Sequence, residues 1–389
     1  MNEPLALTVV IGFRDRAIDL LERCLASLAN QTVPDFEVVI VDYGSAPAAA
    51  RAAQAAAGKH AFCRYVYSET RGHPWSRSRA LNVGVRRATS AFVMTTDVDM
   101  IFPPDFVAVL LEHAAPDRVL YCSPYYLPQH FDDWAHLDRH IPRLERGDRS
   151  QYGGCQCVPT ALMQQIRGFD EYYRYWGIED IDLNHRLKLA GLREVWLNDR
   201  THLFHQWHPH SGFRSFALMP VGAWGRIQQH RMRHQDQIAR NAEGWGQVHA
   251  ASTRPAFQFL DLDAQRVIAG ERCTVFDEPP HLNQSVGKLV RAFWDLPAGH
   301  ALAVRHAAYP ARSRAADRII RYGNRWLSRA GGYPQLDYAH NLVHLYLAEL
   351  VEDEDLVADY FLNFPALDGV SVLVRGEAGA TGPNREPKL

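Results

Sequence analysis

Leu5-Ala-Leu-Thr-Val-Val-Ile-Gly12 is an unbroken apolar run of strand length, and the period then changes: Leu20, Leu21, Cys24, Leu25 and Leu28 fall on one helical face. Phe36-Glu-Val-Val-Ile-Val-Asp42 is a second strand pattern, so strand, helix and strand predict a βαβ unit and a parallel sheet. The alternation continues with an alanine-rich helix over 46–57, a strand over 62–67, a helix over 76–88 and a strand over 92–96. A helix follows over 103–115 and a strand over 119–123. Between 125 and 151 Pro, His, Asp and Arg accumulate with weak periodicity, which predicts a long mobile surface segment of the kind that covers active sites. A helix over 159–166 stopped by Gly168, a helix over 184–190 stopped by Gly191 and a strand over 194–197 complete this half.

Later signals are weaker: a polar helix over 221–241, short strands over 257–275, helices over 286–294, 312–329 and 338–351, and a strand over 301–304. A composition change around 244–254 predicts a first domain over 1–250 and a C-terminal domain over 251–375, with a Gly-, Pro- and charge-rich disordered tail over 376–389. The expected class is α/β, a Rossmann-like, mainly parallel sheet flanked by helices, with a C-terminal extension of α+β character.

Asp97-Val98-Asp99 closes the strand over 92–96. In an extended backbone the two acids share a face while Val98 turns into the core. Two acids at a strand end suit a divalent cation that completes its shell with water and phosphate, and they equally suit a solvated turn. Ligands of open α/β sheets bind beyond the carboxyl ends of strands, where Arg14, Arg16 and Asp42 also fall. Neither GxGxxG after the first strand nor GxxxxGK[ST] occurs, which counts against a dinucleotide oxidoreductase and a P-loop NTPase.

Trp176-Gly-Ile-Glu179-Asp180-Ile181-Asp182 opens a helix, and acids in a first turn complement its dipole. Trp176 beside Glu179 and Asp180 exceeds what capping requires. A carboxylate here suits a general base, and the indole suits the apolar face of a sugar. His202, His205, His208 and His210 place four imidazoles in one short stretch, a plausible source of metal ligands.

The 389 residues are 47% apolar with a formal net charge of −2, so no general attraction to nucleic acid or anionic lipid is expected. Six cysteines are too sparse for a disulfide framework, and a reducing, cytoplasmic setting is expected. No apolar run reaches the ~20 residues of a spanning helix, and the flanks of Leu5–Phe13 are not those of a signal peptide. Peripheral attachment at the inner face of a membrane stays open, and nothing indicates an oligomeric state.

Five ordered segments carry a family resemblance over roughly residues 5–210. Gly12-Phe13-Arg14-Asp15-Arg16 resembles the Pro-Phe-Arg-Asn-Arg nucleotide motif of β-1,4-galactosyltransferases, and Trp75-Ser-Arg77-Ser-Arg79-Ala-Leu-Asn82-Val-Gly84 resembles their Phe-Asn-Arg-Ala-Lys-Leu-Leu-Asn-Val-Gly. Asp97-Val98-Asp99 falls on the DxD metal motif, and Tyr152-Gly153-Gly154 with Gly168-Phe169 leads into Trp176 to Asp182, similar to Trp-Gly-Gly-Glu-Asp-Asp-Asp. The chain thus resembles a GT-A glycosyltransferase of the family 2 type with a galactosyltransferase-like second half.

The resemblance implies a metal-dependent, inverting transfer of a hexose or N-acetylhexosamine from a UDP-sugar to a glycan acceptor, in polysaccharide or lipopolysaccharide synthesis. It implies a nucleotide-sugar set of Phe13, Arg14, Arg16, Asp42, Arg77, Asp97, Val98 and Gly154, acceptor contacts from Glu179 and Trp176, and Asp180 as catalytic base. Mn²⁺ or Mg²⁺ would bind Asp99 with His205, and with His202 as a co-ligand; comparison with polypeptide N-acetylgalactosaminyltransferases makes His202 the ligand instead. Ile178 and Ile181 depart from the galactosyltransferase pattern, replacing a Gly and an acid near the acceptor. Two other classes remain: a sugar nucleotidyltransferase, although its Gly-rich, Lys-bearing loop is missing, and a non-catalytic nucleotide-sugar or glycan-binding module.

Overall fold

The computed structural model describes residues 5–174, 178–209, 223–262, 266–268, 270–277, 285–306, 342–353, 355–363 and 369–377. The chain divides into two compact units: one runs to Ser211, save Gly72–Pro74, and takes in Gly225–Val248; the other is chiefly His249 onward and includes Gly72–Pro74.

The first unit is built on a seven-stranded sheet. Its strands are β1 (Leu7–Phe13), β2 (Phe36–Tyr43), β3 (Cys63–Ser68), β4 (Phe92–Asp97), β6 (Arg118–Tyr121), β8 (Gln156–Pro159) and β9 (Arg193–Trp196). They lie in the order β3-β2-β1-β4-β8-β6-β9, with β8 antiparallel to both neighbours and the remaining pairs parallel. Both faces are covered, which is why these strands read as continuous apolar runs. Leu7, Val9, Ile11 and Phe13 of β1 enter one core with Leu21, Leu25 and Leu28 of helix α1 (Ile18–Ala29) and Ala53 and Ala57 of α2 (Pro47–Ala57). Val10 enters the other with Ala80, Leu81 and Val83 of α3 (Arg77–Val85) and with Leu183 and Leu187. Gly84 lets α3 settle on β1, because a Cβ there would strike the Val10 side chain. Helices α4 (Phe106–His113), α5 (Thr160–Gln165) and α6 (Glu179–Leu189) complete the chain order.

A second, three-stranded sheet decides the site. It orders β5 (Met100–Ile101), β10 (Leu203–His205) and β7 (Pro124–Tyr126), with β10 antiparallel to β5 and parallel to β7. His205 pairs with Met100, so the histidine strand is laid beside the residues that follow Asp99. The segment expected to be a featureless cover over 125–151 contains β7 and a 3₁₀ stretch over Trp134–Arg143. Phe131, Trp134, Leu137 and Ile141 pack on Ile101, Leu127 and Phe204.

The second unit holds a four-stranded sheet in the order Cys273–Asp277, Ala301–His306, Gly369–Arg375, Val357–Phe361. Leu289 and Phe293 of the helix Ser285–Trp294 and Leu347 of the helix Leu342–Leu350 fill its core with Leu302, Val304 and Leu373. The last two strands escaped the sequence pattern for a physical reason. Val357-Ala-Asp-Tyr-Phe361 carries an acid at a buried position, tolerated because Asp359 accepts from Arg254 Nε at 2.8 Å and from the Ala256 N–H at 2.9 Å. The helix expected over 312–329, and the tail from residue 378, lie outside the described residues.

Candidate active site

β1, β2 and β4 are parallel and in register, so Phe13 pairs with Asp42, and Gly12 with Asp97, at one carboxyl edge. At that edge β4 ends at Asp97 and the chain turns through Val98 and Asp99 before β5 begins. The expectation that both acids share one strand face is therefore corrected: the ladder stops at Asp97, and the turn gives each acid its own partners. Val98 does turn inward, at 4% exposure within the core.

Asp97 belongs to a charged corner at the mouth of α6. Arg77 donates from Nε to Asp97 Oδ1 at 2.7 Å and from Nη2 to the Gly153 carbonyl at 2.9 Å, and its Nη1 lies 3.8 Å from Glu179 Oε1. Arg77 stands at the start of α3, whose N-cap Ser76 accepts from the Arg79 N–H and donates to the Tyr173 carbonyl at 2.9 Å. Gly153 is wedged among these groups: a Cβ built on it would sit 3.5 Å from Asp97 Oδ2 and 3.6 Å from Asp180 Oδ2. The Asp97 and Asp180 carboxylates thus approach the same small residue from two elements.

Burial, then the Asp180 charge, pushes the Glu179 carboxyl up to about 7. Asp180 is also raised, chiefly by burial, although Arg77 and the Ile181 N–H, which donates to its Oδ1 at 2.8 Å, pull the other way. Burial alone would lower Arg77, but Asp97, then Glu179 and Asp180, outweigh it and hold the guanidinium charged. Arg77 Nη1 is buried without a hydrogen-bond partner, a donor left for a ligand. The helix begins from Ile178 at φ +77°, a left-handed conformation rare for a β-branched residue and a marker of strain at functional sites. Asp182, one turn deeper, is structural. It accepts from Arg186 Nε at 2.8 Å, Tyr173 Oη at 3.0 Å and Arg240 Nη1 at 2.5 Å.

Asp99 belongs to a second corner. His208 Nε2 is 3.1 Å from Asp99 Oδ2, His205 Nε2 is 3.7 Å from Asp99 Oδ1, and one ligand atom from each of the three residues falls within 4.8 Å of the others. Burial would raise Asp99, but the His208 hydrogen bond, His205 and Arg16 outweigh it and keep it ionised. His208 Nδ1 lies 3.0 Å from the Pro209 carbonyl and Arg16 Nη1 lies 3.5 Å from the same ring. Nε2–H donates to the Asp99 carboxylate, which raises the His208 pKa, and the Nδ1 contact with the Pro209 carbonyl fixes the ring so that Nε2, once deprotonated, faces a cation beside Asp99. Asp99 Oδ1 is buried with no hydrogen-bond partner, so the donor set fits a cation.

The remaining expected residues are distributed unevenly. His202 is not among the groups gathered at Asp99: it lies just before β10, and its Nε2 is 2.9 Å from Asp138 Oδ1. His208, which with Pro209 matches the closing His-Pro of the polypeptide N-acetylgalactosaminyltransferase segment, is not singled out as a ligand by the sequence; its i+3 spacing from His205 converges because the strand ends between them. Asp42 is wholly buried, accepting from the Ser45 N–H at 2.8 Å and Tyr65 Oη at 2.6 Å. Phe13 is sealed in the core at 1% exposure and offers this edge its backbone. Arg14 is half-buried, and burial lowers its pKa. The loop it opens is tied to the next by Asp15, whose N–H donates to Ser45 Oγ at 2.9 Å and whose Oδ1 accepts from Ala46 N at 2.8 Å. Gly154 accepts from Thr96 Oγ1 at 2.7 Å, fixing its strand beside the acids. Trp176 lies outside the described residues.

The doubly covered, mainly parallel sheet with the acid pair at its carboxyl edge and the acid-led helix is of the GT-A type. Residues 8–174 match the family model for glycosyl transferase family 2, and residues 140–209 match the model described as the N-terminal domain of galactosyltransferase. A validoxylamine A glucosyltransferase of Streptomyces hygroscopicus subsp. jinggangensis is 27% identical over 242 residues, covering 50% of this chain and 56% of the relative. The chain spans about half the length of the curated relatives it matches first. Among solved structures, a mannosyltransferase from Pyrobaculum calidifontis in complex with GDP-Man and Mn²⁺ is 21% identical, covering 62% of this chain and 66% of that one with a TM-score of 0.42. TarS 1–349 of S. aureus in complex with UDP-GlcNAc is 19% identical, covering 60% and 70% with a TM-score of 0.45.

Proposed function

We propose that this protein is a metal-dependent, inverting glycosyltransferase that moves a hexose or N-acetylhexosamine from a UDP-sugar to a glycan acceptor. The observation that carries this reading is the meeting of Asp97 and Asp180 about Gly153, beside a carboxylate and two imidazoles suited to a cation. Asp180 accepts the proton of the acceptor hydroxyl as its oxygen attacks the anomeric carbon from the face opposite the leaving group, and configuration inverts. Glu179, buried beside it, holds the acceptor. Arg77, charged and with no hydrogen bond at Nη1, meets negative charge developing on the leaving diphosphate. Arg14 and Arg16 line the nucleotide side, with Asp42 buried beneath the same edge.

Asp99, His205 and His208 hold the cation, which when bound offsets the charge of the diphosphate. Two imidazoles favour a first-row transition ion over Mg²⁺, which prefers oxygen ligands, and Mn²⁺ accepts both ligand types. A glucosyltransferase relative supports the hexose reading. Among the described residues no helix is long and apolar enough to cross a membrane, and a role in polysaccharide or lipopolysaccharide assembly at the inner membrane face is part of this proposal. The second unit serves acceptor recognition or self-association.

A screen of UDP-sugars for slow UDP release tests the reading. Release that requires Mn²⁺, stops with chelator and is lost in Asp99→Asn supports it. Sugar binding indifferent to metal, without release, favours a binding module instead.

A further inference from the structure

His205 and His208 reach Asp99 from a strand end and the loop beyond it, and Gln206 lies between them at 1% exposure. Its N–H donates to the Asp99 carbonyl at 2.8 Å, extending the β5–β10 ladder by one rung. Its side chain reaches away from the histidines to α1: Nε2 donates to the Leu20 carbonyl at 3.0 Å, and Oε1 accepts from Arg23 Nε at 2.5 Å. Arg23 is itself fixed, donating from Nη2 to Asp19 Oδ2 at 2.6 Å with its guanidinium 4.5 Å from the Trp134 ring centroid. A buried primary amide is costly unless its polar atoms are satisfied, and here both ends are spent on one helix. The backbone that carries both imidazoles is thereby tied at one residue to the acid turn and to α1.

We propose that Gln206 is a positioning residue for the cation: it sets His205 and His208 against Asp99, and Arg23 locks its side chain. This rests on the assignment of Asp99, His205 and His208 as ligands. Groups behind metal ligands typically account for about 10–100-fold in affinity. The test is Mn²⁺ titration of the full chain without donor, read from the paramagnetic resonance of free Mn²⁺, alongside circular dichroism and thermal melts. Gln206→Leu is expected to weaken Mn²⁺ by about 10–100-fold while remaining folded. Arg23→Met, at a side chain that is 31% exposed, gives a smaller loss in the same direction, and none when added to Gln206→Leu because the two act through one bond. A purely structural glutamine would lower the melting temperature and leave Mn²⁺ affinity unmoved, which overturns the inference. If Gln206→Leu does not fold, unchanged affinity in Arg23→Met overturns it instead. A wild-type chain that takes up no Mn²⁺, or Asp99→Asn with unaltered affinity, overturns the ligand assignment as well, which separates the two failures.

Discussion

The two corners of the site use the same side-chain type in opposite electrostatic states. At Asp99, two imidazoles and Arg16 overcome the burial penalty and hold a carboxylate ionised at 3% exposure. At α6, Glu179 and Asp180 are buried next to each other, one arginine is shared among three acids, and the pair is pushed upward, Glu179 to about 7. An acid that never gives up its charge suits a cation, whereas one whose proton is labile near neutrality suits proton transfer. Asp97 and Asp99 are separated by one residue yet belong to different corners, because the strand ends between them.

The largest effect that could break this division is on chemistry. Asp180→Asn should cut transfer by about 10²–10⁴-fold while UDP and Mn²⁺ binding persist; full transfer activity would remove Asp180 as base. Next come the histidines: His208→Ala should weaken Mn²⁺ by more than about 100-fold, beyond the range of supporting groups, whereas His202→Ala leaves it unchanged. Titrating both variants with Mn²⁺ decides between them, and the reverse ranking would return His202 to the metal set. Gly84→Ala should destabilise the fold by about 1–3 kcal/mol in urea, because a methyl there presses α3 off Val10. Since α3 carries Arg77, this variant should weaken UDP more than Mn²⁺; equal losses would mean that the corners are not separable.

The smallest effect is in pH. Glu179 and Asp180 bind protons more tightly folded than unfolded, so stability is greatest below the ordinary carboxylate range and falls as pH rises toward about 7. Activity runs the other way, rising with pH above the ordinary carboxylate range as Asp180, raised by burial, ionises. Asp180→Asn removes a neighbouring negative charge and should lower the Glu179 pKa, readable by carbon NMR of the Glu179 carboxyl. No movement would show that burial alone sets it.

Much of the fold was legible because the parallel strands are buried on both faces. Leu7–Phe13 and Phe36–Tyr43 read as strands from composition alone, and α1 declares its buried face through Leu21, Cys24, Leu25 and Leu28. The second unit was harder: Asp359 breaks an apolar strand and is buried only because Arg254, distant in sequence, pairs with it. In the site, Asp97, Asp99, Arg77, Glu179 and Asp180 stand in recognisable local motifs. His208 stands with Pro209 in a His-Pro match, but nothing in four neighbouring imidazoles says which will face an acid in the turn after another strand.

The sequence alone determined the strand and helix alternation up to β4, the family motifs and the acids at the sheet's carboxyl edge, because periodicity and loop chemistry are local. Tertiary structure alone decided which histidines face Asp99, which acids are pushed up by burial, and that Gln206 ties the histidines' strand end to α1. Those depend on strand register, on burial and on neighbours far along the chain, and a charge or a lone pair acquires its state only from what packs against it.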